Sequence, residues 1–360
     1  MVSWKILAGG YDYFIATYLL TVNGESADLR LVSRSPSGRN PSWLTPHPFN
    51  KNLVYATNEY GPYGGVQSYQ VSDSGSVSVV DTISSLGADP AHAVALPNGK
   101  VVVMNYSSGD GRIITTTDGG RRFLNDSSAH YLKFQAPAGG VSHPHQTVQR
   151  GETLFIPDLG ADKIWRIQEE GDSVVVKDYL PQPQGSGPRH IALSEDRLFT
   201  LHELSSTLSV QPLTSFNQPS TEIASVSIVP KDAPAGAKWS AGEILIPEPT
   251  PKSPKSYIYT SNRNLGNTDP RGDTIAIFEL VNKGTSSEAL VLVNQVYTGL
   301  SQVRGMEFGP AENGGDEYLI ASGVAGGAGV VVLKKVDGGR NLEIVAKNDE
   351  IPTRTSFLWL

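Results

Sequence analysis

Three residues with complementary chemistry lie close together in the middle of the chain. Arg189 and His190 follow Gly187-Pro188, and Glu203 ends the next apolar run. Two short antiparallel strands joined by a turn would bring all three side chains to one rim of a sheet. There a guanidinium could stabilise negative charge, while an imidazole or a carboxylate could transfer a proton. The stretch therefore predicts general acid–base chemistry at one rim of the fold.

The same order of polar motif, turn and apolar run recurs along the whole chain. Functional side chains concentrate on loops that a rigid scaffold holds, so the junctions of these repeats are the places to look for a site. The polar residues at the junctions are His92, His145, Asp158, Arg189, His190, Glu203, Asn262 and Arg263. If the repeats surround a common axis, residues far apart in the sequence meet at one mouth of a central channel.

The repeats predict the fold class. Seven units of about four short strands each are typical of a β-propeller. Five units cover residues 43–83, 91–135, 143–180, 189–229 and 241–296, a sixth covers 305–345, and a seventh combines residues 355–360 with three N-terminal strands. Closing the ring with both termini in one blade leaves no open sheet edge there. We therefore expect an all-β, seven-bladed β-propeller with four-stranded antiparallel blades, forming a single domain over residues 1–360.

Composition excludes several classes of partner. The 37 glycines and 24 prolines suit short strands and tight turns rather than long helices. With a net charge of −7 and no run of lysines or arginines, nucleic acid is not expected as a partner. No segment has the roughly 18 apolar residues that a membrane span needs, and the N-terminus lacks a signal-peptide pattern. The absence of cysteine rules out thiolate chemistry and favours an intracellular setting. We expect a cytoplasmic protein with no membrane contact.

Five motifs follow one another along the chain, and we consider them together. They are His143-Pro144-His145, Pro157-Asp158-Leu159-Gly160-Ala161-Asp162-Lys163, Gly187-Pro188-Arg189-His190, His202-Glu203-Leu204-Ser205-Ser206 and Ser261-Asn262-Arg263. Their order and spacing resemble the seven-bladed lactonase propellers, which include 6-phosphogluconolactonase-type enzymes and the fungal carboxy-cis,cis-muconate cyclase. The resemblance covers essentially the whole chain. It implies a lactone-ring hydrolase that acts on a small sugar or phosphosugar lactone without a cofactor.

The resemblance also implies roles for individual residues. The motifs of the cyclase match here at His145, Arg189, Glu203 and Arg263, which implies catalytic roles for these four. We expect substrate contacts from His92, Asp158, His190 and Asn262. Opening a lactone and forming one from a muconate need the same parts, so residue types do not separate the two reactions. The sequences of the third-unit motif and of Pro188-Arg189-His190 are more similar to those of the lactonase-type members than to that of the cyclase. Lactone hydrolysis is therefore the first expectation, and a lactone-forming isomerase is the alternative.

The sixth unit departs from the lactonase-type pattern. Those members commonly open it with a proline–arginine pair and end its second strand in an amide, but here the stretches read Gln302-Val303-Arg304-Gly305 and Ala321-Ser322-Gly323-Val324. This predicts an altered side of the pocket. A propeller that binds a small molecule without catalysis is a further alternative, because fold alone does not determine function.

Structural roles and a metal site also have to be weighed. Arg189 could pair with Glu203 only to close the ring, and His145 and His190 could bridge adjacent blades. Asp158 could bond its own turn. His143 and His145 form a close pair of metal-type ligands, but no third ligand lies nearby in the sequence and arginines at the same mouth would repel a cation. We therefore expect no metal, a small-molecule lactone or carboxylate as substrate, and leave the oligomeric state open.

Overall fold

A computed structural model of the protein describes residues 1–125, 130–171 and 173–360 and contains seven antiparallel sheets. The sheets are the blades of a propeller, as the repeats predicted. The two ends of the chain form blade 7, which contains β1 (Val2–Gly9), β2 (Phe14–Asn23), β3 (Ser26–Pro36) and β29 (Ser356–Trp359). Blade 1 contains β4 (Leu44–Pro46), β5 (Leu53–Asn58), β6 (Gly65–Val71) and β7 (Val77–Ser84). Blade 2 contains β8 (Pro90–Ala95), β9 (Lys100–Asn105), β10 (Asp110–Thr117), β11 (Arg122–Phe123) and β12 (His130–Lys133).

The remaining four blades each have four strands in chain order. Blade 3 contains β13 (Val148–Arg150), β14 (Thr153–Asp158), β15 (Lys163–Glu170) and β16 (Ser173–Pro181). Blade 4 contains β17 (Pro188–Ser194), β18 (Arg197–His202), β19 (Thr207–Pro212) and β20 (Ala224–Ser227). Blade 5 contains β21 (Trp239–Leu245), β22 (Ile258–Asn264), β23 (Thr274–Val281) and β24 (Ala289–Tyr297). Blade 6 contains β25 (Ser301–Phe308), β26 (Tyr318–Ala325), β27 (Val330–Val336) and β28 (Asn341–Asn348).

Helix is confined, in the ranges given above, to three short 3₁₀ segments: Asp118–Gly120, Glu312–Glu317 and Asp337–Gly339. None of the described helices is long and apolar enough to cross a membrane. Blade 2 differs from the prediction of four strands, because β11 and β12 both pair with β10. The predicted second unit also includes residues 126–129, which lie outside the described residues.

The middle strands of the blades are buried on both faces. Every residue of β5 and of β18 is buried, which explains why these strands appear in the sequence as continuous apolar runs rather than as alternating patterns. In β18, for example, Phe199 and Leu201 pack against Ile244 and Ile258 of the next blade. Each fully buried side chain of this size stabilises the fold by about 1.5–3 kcal/mol. The apolar side chains thus fill the space between blades.

The ring closes through β29, the innermost strand of blade 7. It pairs with β1, with Phe357 opposite Ala8 and Trp359 opposite Ile6. Phe357 is buried in the core of this blade, and the hydroxyl of Thr355 donates a 2.7 Å hydrogen bond to the carbonyl of Ser42 in the segment that leads into blade 1. The last residues of the chain therefore join blade 7 to its neighbour.

Deleting residues 357–360 should lower the free energy of unfolding by at least about 3–5 kcal/mol, the usual cost of losing one buried phenylalanine. The effect should extend to the whole ring, because the deletion opens a sheet edge in the closing blade. Urea unfolding monitored by tryptophan fluorescence measures it. Deletion of Leu360 alone, which lies beyond β29, is the control and should have little effect. A protein without residues 357–360 that unfolds like the full chain would contradict both ring closure and the single-domain prediction.

The innermost strands position the functional side chains. Because the first strand of each blade runs in the same direction along the channel, the starts of these strands meet at one mouth. The pairing of the first and second strands shifts register near this mouth in blades 2, 4, 5 and 6. Such bulges insert an extra residue and re-aim side chains, so consecutive residues can both face the channel. In blade 4 the chain enters this bulge through Gly187, whose φ of +63° favours glycine and whose Cβ position is filled by Leu204.

Candidate functional site

Two arginines hold one carboxylate at the mouth of the channel. Nη1 of Arg189 lies 2.5 Å from Oε2 of Glu203, and Nη2 of Arg263 lies 2.9 Å from Oε1. Each guanidinium is also anchored by the backbone of blade 5, since Nε of Arg189 donates to the carbonyl of Gly242 and Nε of Arg263 donates to that of Ala241. We name Arg189, Glu203 and Arg263 the arginine clamp. Its bonds fix the orientation of both guanidiniums before any ligand binds.

The arginine clamp carries a net positive charge. Burial alone would raise the pKa of Glu203, but Arg189 and Arg263 outweigh burial and lower this pKa to about 2. Burial, followed by the charge of Arg189, lowers the pKa of Arg263 to about 10. Near neutral pH the clamp thus contains two guanidinium ions and one carboxylate. It favours a substrate that carries, or develops, negative charge.

A further arginine lies on the blade 6 side of the channel. Arg304 is 6% exposed, and its Nη2 lies 3.4 Å from Oε2 of Glu59, whose other oxygen accepts a hydrogen bond from the Tyr11 hydroxyl. The side of the pocket expected to differ thus keeps its arginine, which the register shift between Val303 and Gly305 turns into the channel. At the end of β26, Ser322 bonds the carbonyl of Gly329 within its own blade.

Below the clamp, two imidazoles and a carboxyl group form a continuous hydrogen-bonded line. Oε1 of Glu243 lies 2.5 Å from Nδ1 of His190, and Nε2 of His190 lies 3.1 Å from Nδ1 of His145. All three residues are at most 4% exposed. We name them the imidazole chain. It connects three blades, because His145 precedes β13, His190 lies on β17 and Glu243 lies on β21.

Burial determines the charges on the imidazole chain. Burial, followed by the charge of Arg189, lowers the pKa of both His145 and His190 well below the usual value, so both rings are neutral at neutral pH. Burial raises the pKa of Glu243 to about 8. A neutral imidazole next to a cationic clamp can act as a base, since it retains a lone pair that an imidazolium lacks.

Tyr106 packs against this arrangement from blade 2. Its ring stacks on His143 with a centroid separation of 4.7 Å and meets the ring of His145 edge-on at 5.6 Å. Burial, and next the charge of Glu203, raises the pKa of the Tyr106 hydroxyl. Tyr106 therefore forms part of the wall between His145 and the arginine clamp.

A cavity of about 370 Å³ lies beyond the imidazole chain, toward the ends of the innermost strands. Its lining includes Trp43, His92, Glu243, Glu307 and Met306. The rings of Trp43 and His92 are 4.5 Å apart. We name this space the lower cavity. Glu243 is the member of the imidazole chain that lines it.

The structure brings together some of the predicted site residues and separates others. Arg189, Glu203 and Arg263 meet as expected, and His145 lies close enough for the charge of Arg189 to lower its pKa. His190 follows the register shift between Pro188 and His190, and its two ring nitrogens have Glu243 and His145 as partners rather than Arg189 or Glu203. Its contact with substrate stays a prediction.

Three predicted substrate contacts have other surroundings. Asp158 is fully buried, and its carboxylate accepts hydrogen bonds from the Ser142 hydroxyl, the backbone of His143 and Ala161, and the Trp165 indole. Asn262 is also fully buried and donates to the carbonyl of Ile228 and the hydroxyl of Thr274. His92 lines the lower cavity. Asp158 and Asn262 hold loops and strands in place, and neither reaches the arginine clamp.

Sequence reasoning missed four residues that belong to this region: Glu59, Tyr106, Glu243 and Arg304. Two of them could have been found by position. Glu59 and Tyr106 directly follow a second strand, as Glu203 follows β18. Glu243 and Arg304 lie at bulges of innermost strands, and the sequence has no pattern that marks a bulge without a partner strand.

Among residues 1–125, 130–171 and 173–360, no group of three or more histidine, aspartate or glutamate side chains could hold a metal ion. The chemistry that the described side chains themselves can provide is proton transfer by imidazole and stabilisation of negative charge by guanidinium. These are the two requirements for attack of water on an ester carbonyl.

Comparison with known proteins agrees with the architecture. The family model described as "Lactonase, 7-bladed beta-propeller" matches residues 6–358. A curated relative, the 6-phosphogluconolactonase of Bacillus subtilis, is 25% identical over 308 residues, which cover 84% of this chain and 82% of that protein.

Solved structures show the same fold. The periplasmic gluconolactonase PpgL of Pseudomonas aeruginosa superposes with a TM-score of 0.82 at 18% identity, covering 100% of this chain and 99% of that one. A putative 6-phosphogluconolactonase from Bacteroides fragilis superposes with a TM-score of 0.79 at 20% identity, covering 99% and 98%. Since the family match extends over nearly the whole sequence, the chain belongs to the seven-bladed β-propeller lactonase family.

Proposed function

We propose that the protein hydrolyses a small sugar or phosphosugar lactone at the arginine clamp. The observation that carries this proposal is an ionised glutamate held between two arginines next to a buried, neutral histidine. The residues in named roles are Arg189, Glu203 and Arg263 in the clamp and His145 as the base. The reaction needs no cofactor, and the cytoplasm remains the predicted compartment.

The attack of water on a lactone carbonyl creates negative charge on the carbonyl oxygen and releases a proton. Preorganised N–H donors such as the guanidinium of Arg189 stabilise the oxygen, and His145 accepts the proton through its Nε2. The contact of His145 with His190 uses Nδ1, which leaves Nε2 outside the imidazole chain. Glu203 stays ionised throughout and holds both arginines in place.

The charge balance of the mouth favours an anionic substrate. Arg189, Arg263 and Arg304 face two carboxylates, those of Glu203 and Glu59, which leaves one net positive charge. A carboxylate or phosphate on the lactone would complete this balance. A planar guanidinium can bind such a group through two parallel hydrogen bonds.

A lactone-forming cyclase acting on a carboxymuconate is the second candidate. It is favoured by the pair of arginines at one carboxylate, because a dicarboxylate substrate could engage both guanidiniums while His145 protonates the carbanion-like centre. In a non-catalytic scaffold the same groups would bind an anion without turnover.

An assay of purified protein on a panel of substrates tests these alternatives. The panel contains gluconolactone, 6-phosphogluconolactone and 3-carboxy-cis,cis-muconate, each compared with its spontaneous rate. Hydrolysis of a lactone above background supports the proposal, and preferential cyclisation of the muconate would replace it with the second candidate. A protein that binds the phosphorylated product but accelerates no reaction would be a scaffold.

Arg263→Lys should lose most of the activity although the charge is kept. Nε of Arg263 donates to Ala241, and its Nη2 contacts both Ser240 and Glu203, which one ammonium group cannot reproduce at that geometry. We expect kcat/KM to fall by about tenfold to a hundredfold, since a bidentate, charge-assisted contact is lost. Arg271→Lys on the exposed surface of the same blade is the control and should leave kcat/KM unchanged. Equal kinetics of R263K and the parent would show that Arg263 does not contact the substrate.

A further inference from the structure

The imidazole chain runs from the arginine clamp to the lower cavity. At one end the chain uses Nδ1 of His145 and leaves Nε2, the proposed base, outside it; at the other end Glu243 lines the lower cavity. Between them every contact is a hydrogen bond through a ring nitrogen, at 3.1 Å and 2.5 Å. Nothing in the proposed hydrolysis requires this continuation beyond His145.

We propose that Glu243 and His190 form a proton relay that sets the protonation state of His145 and carries the catalytic proton toward the lower cavity. This inference rests on the proposed function for its use in turnover. Glu243 and His190 are positioning residues, because they act on the substrate only through His145.

The geometry couples the three protonation states. When Glu243 is ionised, it accepts the proton on Nδ1 of His190, so Nε2 of His190 accepts the proton on Nδ1 of His145. His145 then presents a lone pair at Nε2 and is a base. When Glu243 is protonated, every hydrogen bond in the chain reverses, and His145 presents an N–H group and is an acid. One proton at Glu243 therefore switches the role of His145.

Hydrolysis starts from ionised Glu243 and is therefore favoured as the pH rises past its pKa of about 8. The water oxygen bonds to the lactone carbonyl carbon, and one water proton moves to Nε2 of His145. The proton on Nδ1 of His145 moves to Nε2 of His190, and the proton on Nδ1 of His190 moves to the carboxylate of Glu243. When the ring C–O bond breaks, its electron pair stays on the ring oxygen, and the same transfers in reverse protonate that oxygen. The product is a hydroxy acid, which releases its carboxyl proton to solvent.

The surroundings of Glu243 suit a group that stores a proton. Oε1 accepts the backbone N–H of Ile244 at 3.0 Å, and the backbone N–H of Glu243 donates to Ser261, so the side chain is held in place. The charged and titratable groups that face it from the packed elements are Arg189 and His190 on β17, Arg304 and Glu307 on β25, and His92 on β8.

Burial and the neighbouring charges have opposing effects on the pKa of Glu243. Burial raises the pKa of its carboxyl group, and Arg189 and Arg304 lower it. A proton on Glu243 avoids an imidazolium ion close to two arginines, which burial and the charge of Arg189 already disfavour at His145 and His190. The terminal carboxyl, rather than either ring, is thus the favourable place for the proton.

Nitrogen NMR of the histidine rings tests the coupling without any substrate. The chain has seven histidines, so selective ¹⁵N labelling gives a small set of signals. Between about pH 5 and pH 10, the signals of His145 and His190 should exchange between the two neutral tautomers together, at the pH where Glu243 titrates. In Glu243→Gln this exchange should be absent, because an amide can accept a hydrogen bond from His190 but cannot take its proton.

Kinetics on the same proteins test the use of the relay. Glu243→Gln should lower kcat for lactone hydrolysis on the order of tenfold, leave KM unchanged and remove the limb of the pH profile that coincides with the tautomer exchange. Glu307→Gln is the matched control. Glu307 lines the same cavity, burial and the nearby Glu243 raise its pKa, and within the described residues it makes no hydrogen bond to the imidazole chain. Both kcat and the tautomer exchange should persist in E307Q.

The results of these two experiments distinguish failure of the relay from failure of the proposed function. Ring signals that do not change with pH in the parent, or that change identically in E243Q, would overturn the relay. An active parent with an equally active E243Q would overturn its use in turnover. A parent that opens no lactone while its ring signals still follow Glu243 would overturn the proposed function and uphold the coupling. If E243Q does not fold, the titration of the parent decides alone.

Discussion

Glu203→Gln should fold and bind ligand, yet turn over the lactone at least about a hundredfold more slowly than the parent, as loss of a preorganised electrostatic group typically does. The glutamine keeps the shape of the side chain but removes the charge that Arg189 and Arg263 share. Without that charge the two guanidiniums repel each other and lose their fixed orientation. Steady-state kinetics with the preferred lactone measure the effect on kcat and KM separately.

The pH dependence of activity cannot test the role of Glu203 in place of this variant. Because its folded pKa is lowered to about 2, the stabilisation from its ion pairs is present above the unfolded pKa and is lost only as the pH falls toward that value. A pH profile in the working range therefore does not report Glu203, and the variant is needed. Glu288→Gln is the matched control. It removes the carboxylate that pairs with Arg197, and this ion pair lies away from the channel. E288Q should lose stability and keep the parental kcat. Parental turnover in E203Q would disprove the catalytic role of the arginine clamp.

His145→Asn should reduce kcat by about a hundredfold to ten-thousandfold, the range expected for loss of a general base. The amide of asparagine can replace Nδ1 in the contact with His190, whereas it has nothing in place of Nε2. The variant therefore removes the proposed base and keeps the hydrogen bond that supports it. Substrate affinity should change little, because the arginine clamp is intact.

His47→Asn is the control for this variant. Nδ1 of His47 accepts the backbone N–H groups of Phe49 and Asn50, which an asparagine can also do, and His47 follows β4 at the far end of the channel. H47N should turn over substrate like the parent. If H145N is equally active and its folding is intact, the base lies elsewhere in the mouth.

Local sequence patterns predicted those parts of the structure that depend on neighbouring residues. The pairing of Arg189 with Glu203 follows from a hairpin, because β17 and β18 are adjacent in the chain and antiparallel. The seven blades follow from a repeated order of strands and turns. The closing blade follows from the single strand left at the C-terminus and the three left at the N-terminus.

Contacts between residues far apart in the sequence could not be predicted from local patterns. Arg263 reaches Glu203 from the next blade, and the repeat pattern placed both at one mouth without showing that they form an ion pair. His190 and Glu243 meet across two blades, and each lies at a bulge in the pairing of the first and second strands. Asp158 looked like a ligand in the sequence, but four donors around its own loop surround its carboxylate. Polar type and position alone do not show which direction a side chain takes.

A crystal structure with a bound lactam analogue tests the central claim most directly, because a lactam keeps the carbonyl of the lactone and resists ring opening. We predict the lactam in the mouth of the channel, with its carbonyl oxygen within about 3 Å of a guanidinium N–H of Arg189 or Arg263 and its carbonyl carbon facing Nε2 of His145. A lactam that lies in the lower cavity or on the outside of the propeller, with the arginine clamp free, would contradict lactone chemistry at this site.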